Sequence, residues 1–136
     1  MANYSELLDG LEVALDKEMQ AVVRYISHAA IVEGENSPQI RDMFIKEAHA
    51  ELDHAIWLSR KIAIMGRHPY PGAQYDTEET DRNTQSLLTE NMNEEFEAVE
   101  HYSILSGLAE SMYQIAVKTK MEELVLEETE HMEVLS

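Results

Sequence analysis

The sequence predicts an all-α fold, a four-helix bundle of two antiparallel helix hairpins joined by a long crossover loop. Three observations carry that expectation. Apolar residues recur at helical spacing over long stretches. Gly and Pro are few, 5 and 3 in 136 residues, and fall where those stretches end. The chain also repeats itself. Glu18-Met19-Gln20-Ala21-Val22-Val23-Arg24-Tyr25 returns as Glu95-Phe96-Glu97-Ala98-Val99-Glu100-His101-Tyr102, and Glu51-Leu52-Asp53-His54 returns as Glu128-Thr129-Glu130-His131, each 77 residues on. Leu11/Leu88 and Leu58/Leu135 match at the same offset. The length suits one domain, residues 1–136, with a single core.

The first helix is expected to begin after Asn3, with Glu6 completing a capping box. Leu7, Leu8, Leu11, Leu15, Met19, Val22 and Ile26 form its apolar stripe, and Gly34 lies just past its end. Ser37 then caps a second helix with Pro38 at its first position. That helix runs to about Met65, with Gly66 as the stop. Gly66 to about Thr77 reads as a loop, and a third helix covers about 78 to 109. A tight break near Met112-Tyr113 follows from the repeat, since residues 111–114 stand 77 after 34–37. The fourth helix reaches the C-terminus. Short first and third links make antiparallel hairpins. The middle link, roughly a dozen residues, reaches about 40 Å when extended. That is the length of a helix of about 28 residues. A crossover with parallel second and third helices is therefore expected, and the hairpins are related by a pseudo-two-fold axis. A plain up-down-up-down bundle is the alternative.

The charge is lopsided, 27 acidic residues against 10 basic and a net −17. This argues against nucleic acid and anionic membranes, which need clustered Lys and Arg, and favours cations or a strongly solvated surface. With no cysteine, disulfides, zinc–thiolate sites and iron–sulfur centres are excluded within the chain. Carboxylate and imidazole ligands suit iron, with manganese as the alternative and zinc as an adventitious occupant. The N-terminus has no signal-peptide pattern, and no segment approaches the roughly 20 apolar residues of a membrane helix. A cytoplasmic protein is the expectation.

The repeat places chemistry. Positions i and i+3 share a helix face, so Glu51 and His54 reach one point and Glu128 and His131 another. Glu18 lies about as far before the first turn as Glu51 lies after it, and Glu95 and Glu128 stand likewise about the second turn, about 22 Å from the bundle end. Six side chains, Glu18, Glu51, His54, Glu95, Glu128 and His131, therefore converge at mid-bundle. Four carboxylates buried together are costly unless neutralised, and two divalent cations would neutralise them. Glu94 is the rival to Glu95 if the third helix is registered one residue off. Tyr25 and Tyr102, seven residues after their respective Glu, read either as hydrogen-bond donors to ligating carboxylates or as buried aromatics. Asp53, Glu94, Glu97 and Glu130 read as solvated. His28, His49, His68 and His101 lack duplicated partners and read as structural or surface residues. Trp57 and most Met residues lie at core spacing.

With those residues in view, the chain resembles the ferritin-like superfamily, and bacterioferritin most. Glu18 through Ala29 looks like that family's first metal-binding helix, Lys46 through Ala55 its second, and Leu126 through His131 its fourth. The resemblance implies a non-haem di-iron ferroxidase, with two Fe(II) oxidised by O2 or hydrogen peroxide and Fe(III) held or mineralised. It assigns Glu18, Glu51, Glu95 and Glu128 as ligands, Glu51 and Glu128 as bridges, and His54 and His131 as terminal ligands. Haem-binding members carry Met where this chain has Leu52, which argues against haem. Only five residues follow His131, so a cage built with an additional C-terminal helix is not implied. A homo-oligomer, a dimer or larger, is. The second reading is rubrerythrin-like: peroxide reduction with an external electron donor, favoured by an extra Glu near the site such as Glu97 or Glu94. The third is a non-enzymatic acidic bundle with a structural metal site.

Overall fold

The computed structural model describes residues 4–72 and 81–136. These form four helices: α1 (Ser5–Ile31), α2 (Ser37–Ile64), α3 (Thr84–Ser111) and α4 (Ile115–Leu135). Among the described residues there is no strand, only one isolated bridge between Glu33 and Asn83.

The helices end as glycine and backbone geometry dictate. Gly34 and Gly66 adopt positive φ, 125° and 102°, a conformation that costs glycine little. The second hairpin turns without one: Tyr113 takes φ 58° instead. Three expected termini differ. The N-cap of α1 is Tyr4 and that of α2 is Asn36, neither with a side-chain cap bond. So Glu6 completes no capping box there, and Ser37 is the first helical residue, with Pro38 second. Asn3 lies outside the described residues. α3 begins at Thr84 because Asn83 caps it, its side chain accepting from the amides of Gln85 and Ser86. Residues 81–83 are thus not helical, and residues 73–80 lie outside the described part.

The crossover is fixed by contacts at the two ends of the bundle. Arg67, just past α2, bonds Asp9 and the Ser5 carbonyl at the start of α1. The start of α3 instead meets the end of α1: the Glu33 amide donates to the Arg82 carbonyl, and the Thr84 hydroxyl to the Glu33 carbonyl. Hence α2 and α3 run parallel, α1 and α3 antiparallel, and the up-down-up-down alternative is excluded.

Two apolar clusters lie on either side of a polar middle. One gathers Leu7, Leu11, Leu15, Leu58, Ile62, Leu105 and Met121, among others. The other gathers Tyr25, Phe44, Leu87 and Leu135. Burying each such side chain stabilises by about 1.5–3 kcal/mol. The α1 stripe departs from expectation at its end. Ile26 is 58 % exposed, whereas Glu18 and Tyr25 are buried. The buried line runs 11–18–25, so it passes through the glutamate. Among the described residues no helix is long and apolar enough to cross a membrane.

Candidate metal centre

The polar layer between the clusters holds Glu18, Glu51, Glu95 and Glu128, each at most 3 % exposed. All six side chains expected from the repeat meet there. They fall into two overlapping groups. Glu18, Glu51, His54 and Glu128 bring one ligand atom each within 4.8 Å of one another, and Glu47, Glu51, Glu95 and His131 do the same. Glu51 belongs to both groups. Glu128 spans them too: its Oε1 lies 3.0 Å from His54 Nδ1 and its Oε2 3.6 Å from His131 Nδ1.

Seven atoms aimed into this layer are buried without a hydrogen-bond partner: Oε2 of Glu18 and Glu47, Oε1 of Glu51, both oxygens of Glu128, and Nδ1 of His54 and His131. Native proteins rarely tolerate such orphans unless an ion, a water or a function accounts for them. Oxygen and imidazole nitrogen donors at this density fit a pair of hard or borderline cations. The electrostatics agree. Burial, then the neighbouring Glu51 carboxylate, pushes Glu18 well above the usual carboxylate range. Burial alone would lower the His131 imidazole, but Glu128, Glu47 and Glu51 outweigh it and push it up to about 12. His54 is raised likewise, with Glu128, Glu18 and Glu51 outweighing its burial. The metal-free cluster therefore holds protons where cations would neutralise it.

The surrounding residues fix these ligands. His54 Nε2 lies 2.5 Å from Glu127 Oε2. Such a carboxylate accepts from Nε2–H, so Nδ1 is the nitrogen left facing the layer, where a cation would displace its proton. The two tyrosines act across the bundle. Tyr25 donates to Glu95 at 2.6 Å and Tyr102 to Glu18 at 2.5 Å, so each holds the glutamate of the opposite hairpin. Both phenols are raised by burial, which keeps them protonated donors.

Of the flanking residues, Glu94 does not face the layer. Its side chain is 43 % exposed and pairs with Arg24, while Glu95 faces inward. Glu97 is exposed and pairs with Lys17, and Asp53 and Glu130 are exposed. His49 and His68 are exposed as well. His101 bonds the Gly10 carbonyl, and buried His28 accepts from Asn91. The rubrerythrin-like reading looked to Glu97 or Glu94 for an extra carboxylate. The residue found there is Glu47, buried and 2.9 Å from His131 Nδ1. Reading by repeat missed Glu47 and Glu127, because Leu124 and Ala50 stand at the matching positions. The available signal was spacing: Glu47 lies one turn before Glu51 on the buried stripe Phe44–Glu47–Glu51–His54–Leu58.

The fold recurs in known proteins. The chain superposes on a ferritin-like diiron-carboxylate protein from Bacillus anthracis with a TM-score of 0.92 and 26 % identity, covering 99 % of this chain and 96 % of that one. A dodecameric thioferritin, the bacterioferritin-related protein of Bacteroides fragilis, superposes with a TM-score of 0.89 at 24 % identity, covering 98 % of this chain and 83 % of that one. For Rhodobacter capsulatus bacterioferritin, described with a metal-free dinuclear site and haem iron, the values are 0.84 and 19 %, over 99 % and 84 %. Among curated proteins, none matches the chain in sequence. The ferritin-like domain model matches residues 8–136, nearly the whole chain and every residue of the cluster, so this protein belongs to the ferritin-like family.

Proposed function

We propose that the protein is a non-haem di-iron ferroxidase, in which Glu18, Glu51, His54, Glu95, Glu128 and His131 hold two iron ions and Glu47 adds a fifth carboxylate. The observation that carries this reading is the set of seven buried atoms without a hydrogen-bond partner, crowded within ion-pair distance of one another in two overlapping groups. Two ferrous ions bound together supply the two electrons that reduce hydrogen peroxide, or that begin the reduction of O2. The protein's own part is positional. Glu51 and Glu128 reach both groups and hold the ions as a pair. Tyr25 and Tyr102 keep the terminal glutamates aimed inward. Glu127 accepts from His54 Nε2–H and so keeps Nδ1 turned toward the metal position. The two apolar clusters limit water at the centre. Assembly into a dimer or larger homo-oligomer is part of the proposal, as in the dodecameric B. fragilis protein.

Glu47 gives weight to a second reading, a peroxide reductase fed by an external electron donor. With four carboxylates, two divalent ions give a neutral centre and two trivalent ions a charge of +2. With five, the same states carry −1 and +1. A buried site straddling neutrality holds both oxidation states at similar desolvation cost, which suits a centre that cycles rather than one that discharges Fe(III).

Anaerobic Fe(II) titration followed by O2 uptake tests the proposal on the intact chain and on His54→Ala. Saturation near two irons per chain with rapid O2 consumption, both impaired in the variant, is the expected result. Faster reaction with hydrogen peroxide than with O2, and repeated turnover with a reductant, would select the second reading. No saturable uptake would leave an acidic bundle without iron chemistry.

A further inference from the structure

We infer that the groove between α2 and α4 binds a planar, phosphate-bearing aromatic ligand of the nucleotide class. The groove has a volume of about 570 Å³ and is lined by Trp57, Arg60 and Lys61 from α2 and by Thr119, Lys120 and Glu123 from α4. That volume falls within the range of roughly 300–1,000 Å³ typical of small-molecule sites. Its charge is the reverse of the chain's. The protein carries 27 acidic and 10 basic residues, yet this groove collects three of the bases and one acid.

The cations are also available. Lys120 pairs with Glu123 at 3.6 Å. The side chains of Arg60 and Lys61 pair with no acid among the described residues. In so acidic a chain, two adjacent cations with no acid partner among the described residues are a local field that attracts an anion, and guanidinium matches phosphate geometry in particular. Beside them lies the chain's one tryptophan. Trp57 packs partly on the core, and Lys120 Nζ sits 5.6 Å from its ring centroid. An indole edged by cations offers stacking and charge together, which a planar anion satisfies and a bare metal or a sugar does not. The groove adjoins the centre along both helices, Trp57 one turn after His54 and Glu123 one turn before Glu127.

The test is a fluorescence titration of the full-length, metal-free chain with flavin mononucleotide, so that its outcome is independent of iron binding. All indole emission comes from Trp57. Expected are saturable quenching at one flavin per chain and at least tenfold weaker binding in the double variant Arg60→Ala/Lys61→Ala, whose circular dichroism stays native. Lys46→Ala, an exposed cation elsewhere on α2, should change nothing. Riboflavin, which lacks the phosphate, and inorganic phosphate, which lacks the ring, should each bind at least tenfold more weakly. The inference is overturned by absent saturation, by equal binding to the double variant, by riboflavin or phosphate binding as tightly, or by concentration-dependent shielding of Trp57 showing that a second copy covers the groove.

Discussion

Around His54 the outer ring nitrogen is tied to Glu127, and three carboxylates, Glu18, Glu51 and Glu128, face Nδ1. Around His131 a further carboxylate, Glu47, enters the group itself. The outer shells differ as well. At one end of the α1–α3 seam, Arg24, Asn91 and His28 form a buried hydrogen-bonded chain. The positions related to them by the 77-residue offset are His101, Ala14 and Leu105, and among the described residues that end buries no comparable polar chain, only the His101 bond to Gly10. The duplicated ligands thus sit in two unlike environments. One half of the centre is a rigid imidazole site with an anchored ring, and the other is a more anionic site. If both groups hold cations, as proposed, this difference makes the two affinities unequal.

The comparison can be broken at its shared point. Glu51→Ala removes the carboxylate common to both groups, and saturable metal uptake should vanish, as read by anaerobic titration. If uptake persists at one ion per chain, the two positions are not joined through Glu51.

It is sharpened by paired variants outside the duplicated set. Glu127→Ala frees the His54 ring, and loss of such an outer hydrogen bond weakens metal binding about 10–100-fold. Calorimetry with Mn(II) or Co(II) should show that loss at one of two sites. Glu47→Gln should weaken the other site and leave the first unchanged. Identical effects of the two variants would mean that the halves are equivalent.

Protons report the same contrast. In the metal-free fold the surrounding carboxylates push His131 up to about 12 and raise His54 as well, against about 6.5 in an unfolded chain. The folded state therefore binds protons that the unfolded state releases above 6.5. The stability they contribute is complete below that value and is lost progressively as pH rises toward 12. Thermal melting of chelated protein should fall from pH 6 to pH 9. With bound metal, which displaces those protons, the decline should disappear. His28, lowered by burial, has the opposite sign: its contribution is present above about 6.5 and is lost on acidification. A flat metal-free profile between pH 6 and 9 would contradict the raised imidazoles.

The smallest effect lies at the turns. Tyr113 is exposed and takes φ 58° where the first hairpin uses Gly34. A left-handed non-glycine residue costs about 1–2 kcal/mol, partly offset in glycine by unfolded-state entropy. Tyr113→Gly should raise stability by about 1 kcal/mol net in urea denaturation. A loss of stability would show that the tyrosine ring makes a contact worth more than the backbone strain.

Much of this architecture was legible because the repeat states it twice. Glu18 and Glu95 interrupt apolar stripes at buried positions, and the two Glu-x-x-His pairs lie at matched heights, so sequence spacing alone brought six side chains to one layer. The crossover was legible from link length against helix length. What remained hidden has no duplicate. Glu47 and Glu127 look like two more acids in an acidic chain until burial distinguishes the first and its contact with His54 Nε2 the second. The start of α3 was misplaced because the Asn83 cap acts through a local hydrogen bond that hydrophobic periodicity does not register. The pairing of each tyrosine with the opposite glutamate required the antiparallel register of α1 and α3, which only the folded chain supplies.

The crossover has a consequence for assembly. Each hairpin can form from neighbours in sequence, and each carries only half a coordination sphere: Glu18, Glu51 and His54 on one, Glu95, Glu128 and His131 on the other. Neither cation position is complete until the hairpins dock, since Glu128 is needed beside His54 and Glu51 beside His131. A cation held in either position would therefore act as a rivet between two preformed pieces, and its departure would remove a tie across their seam.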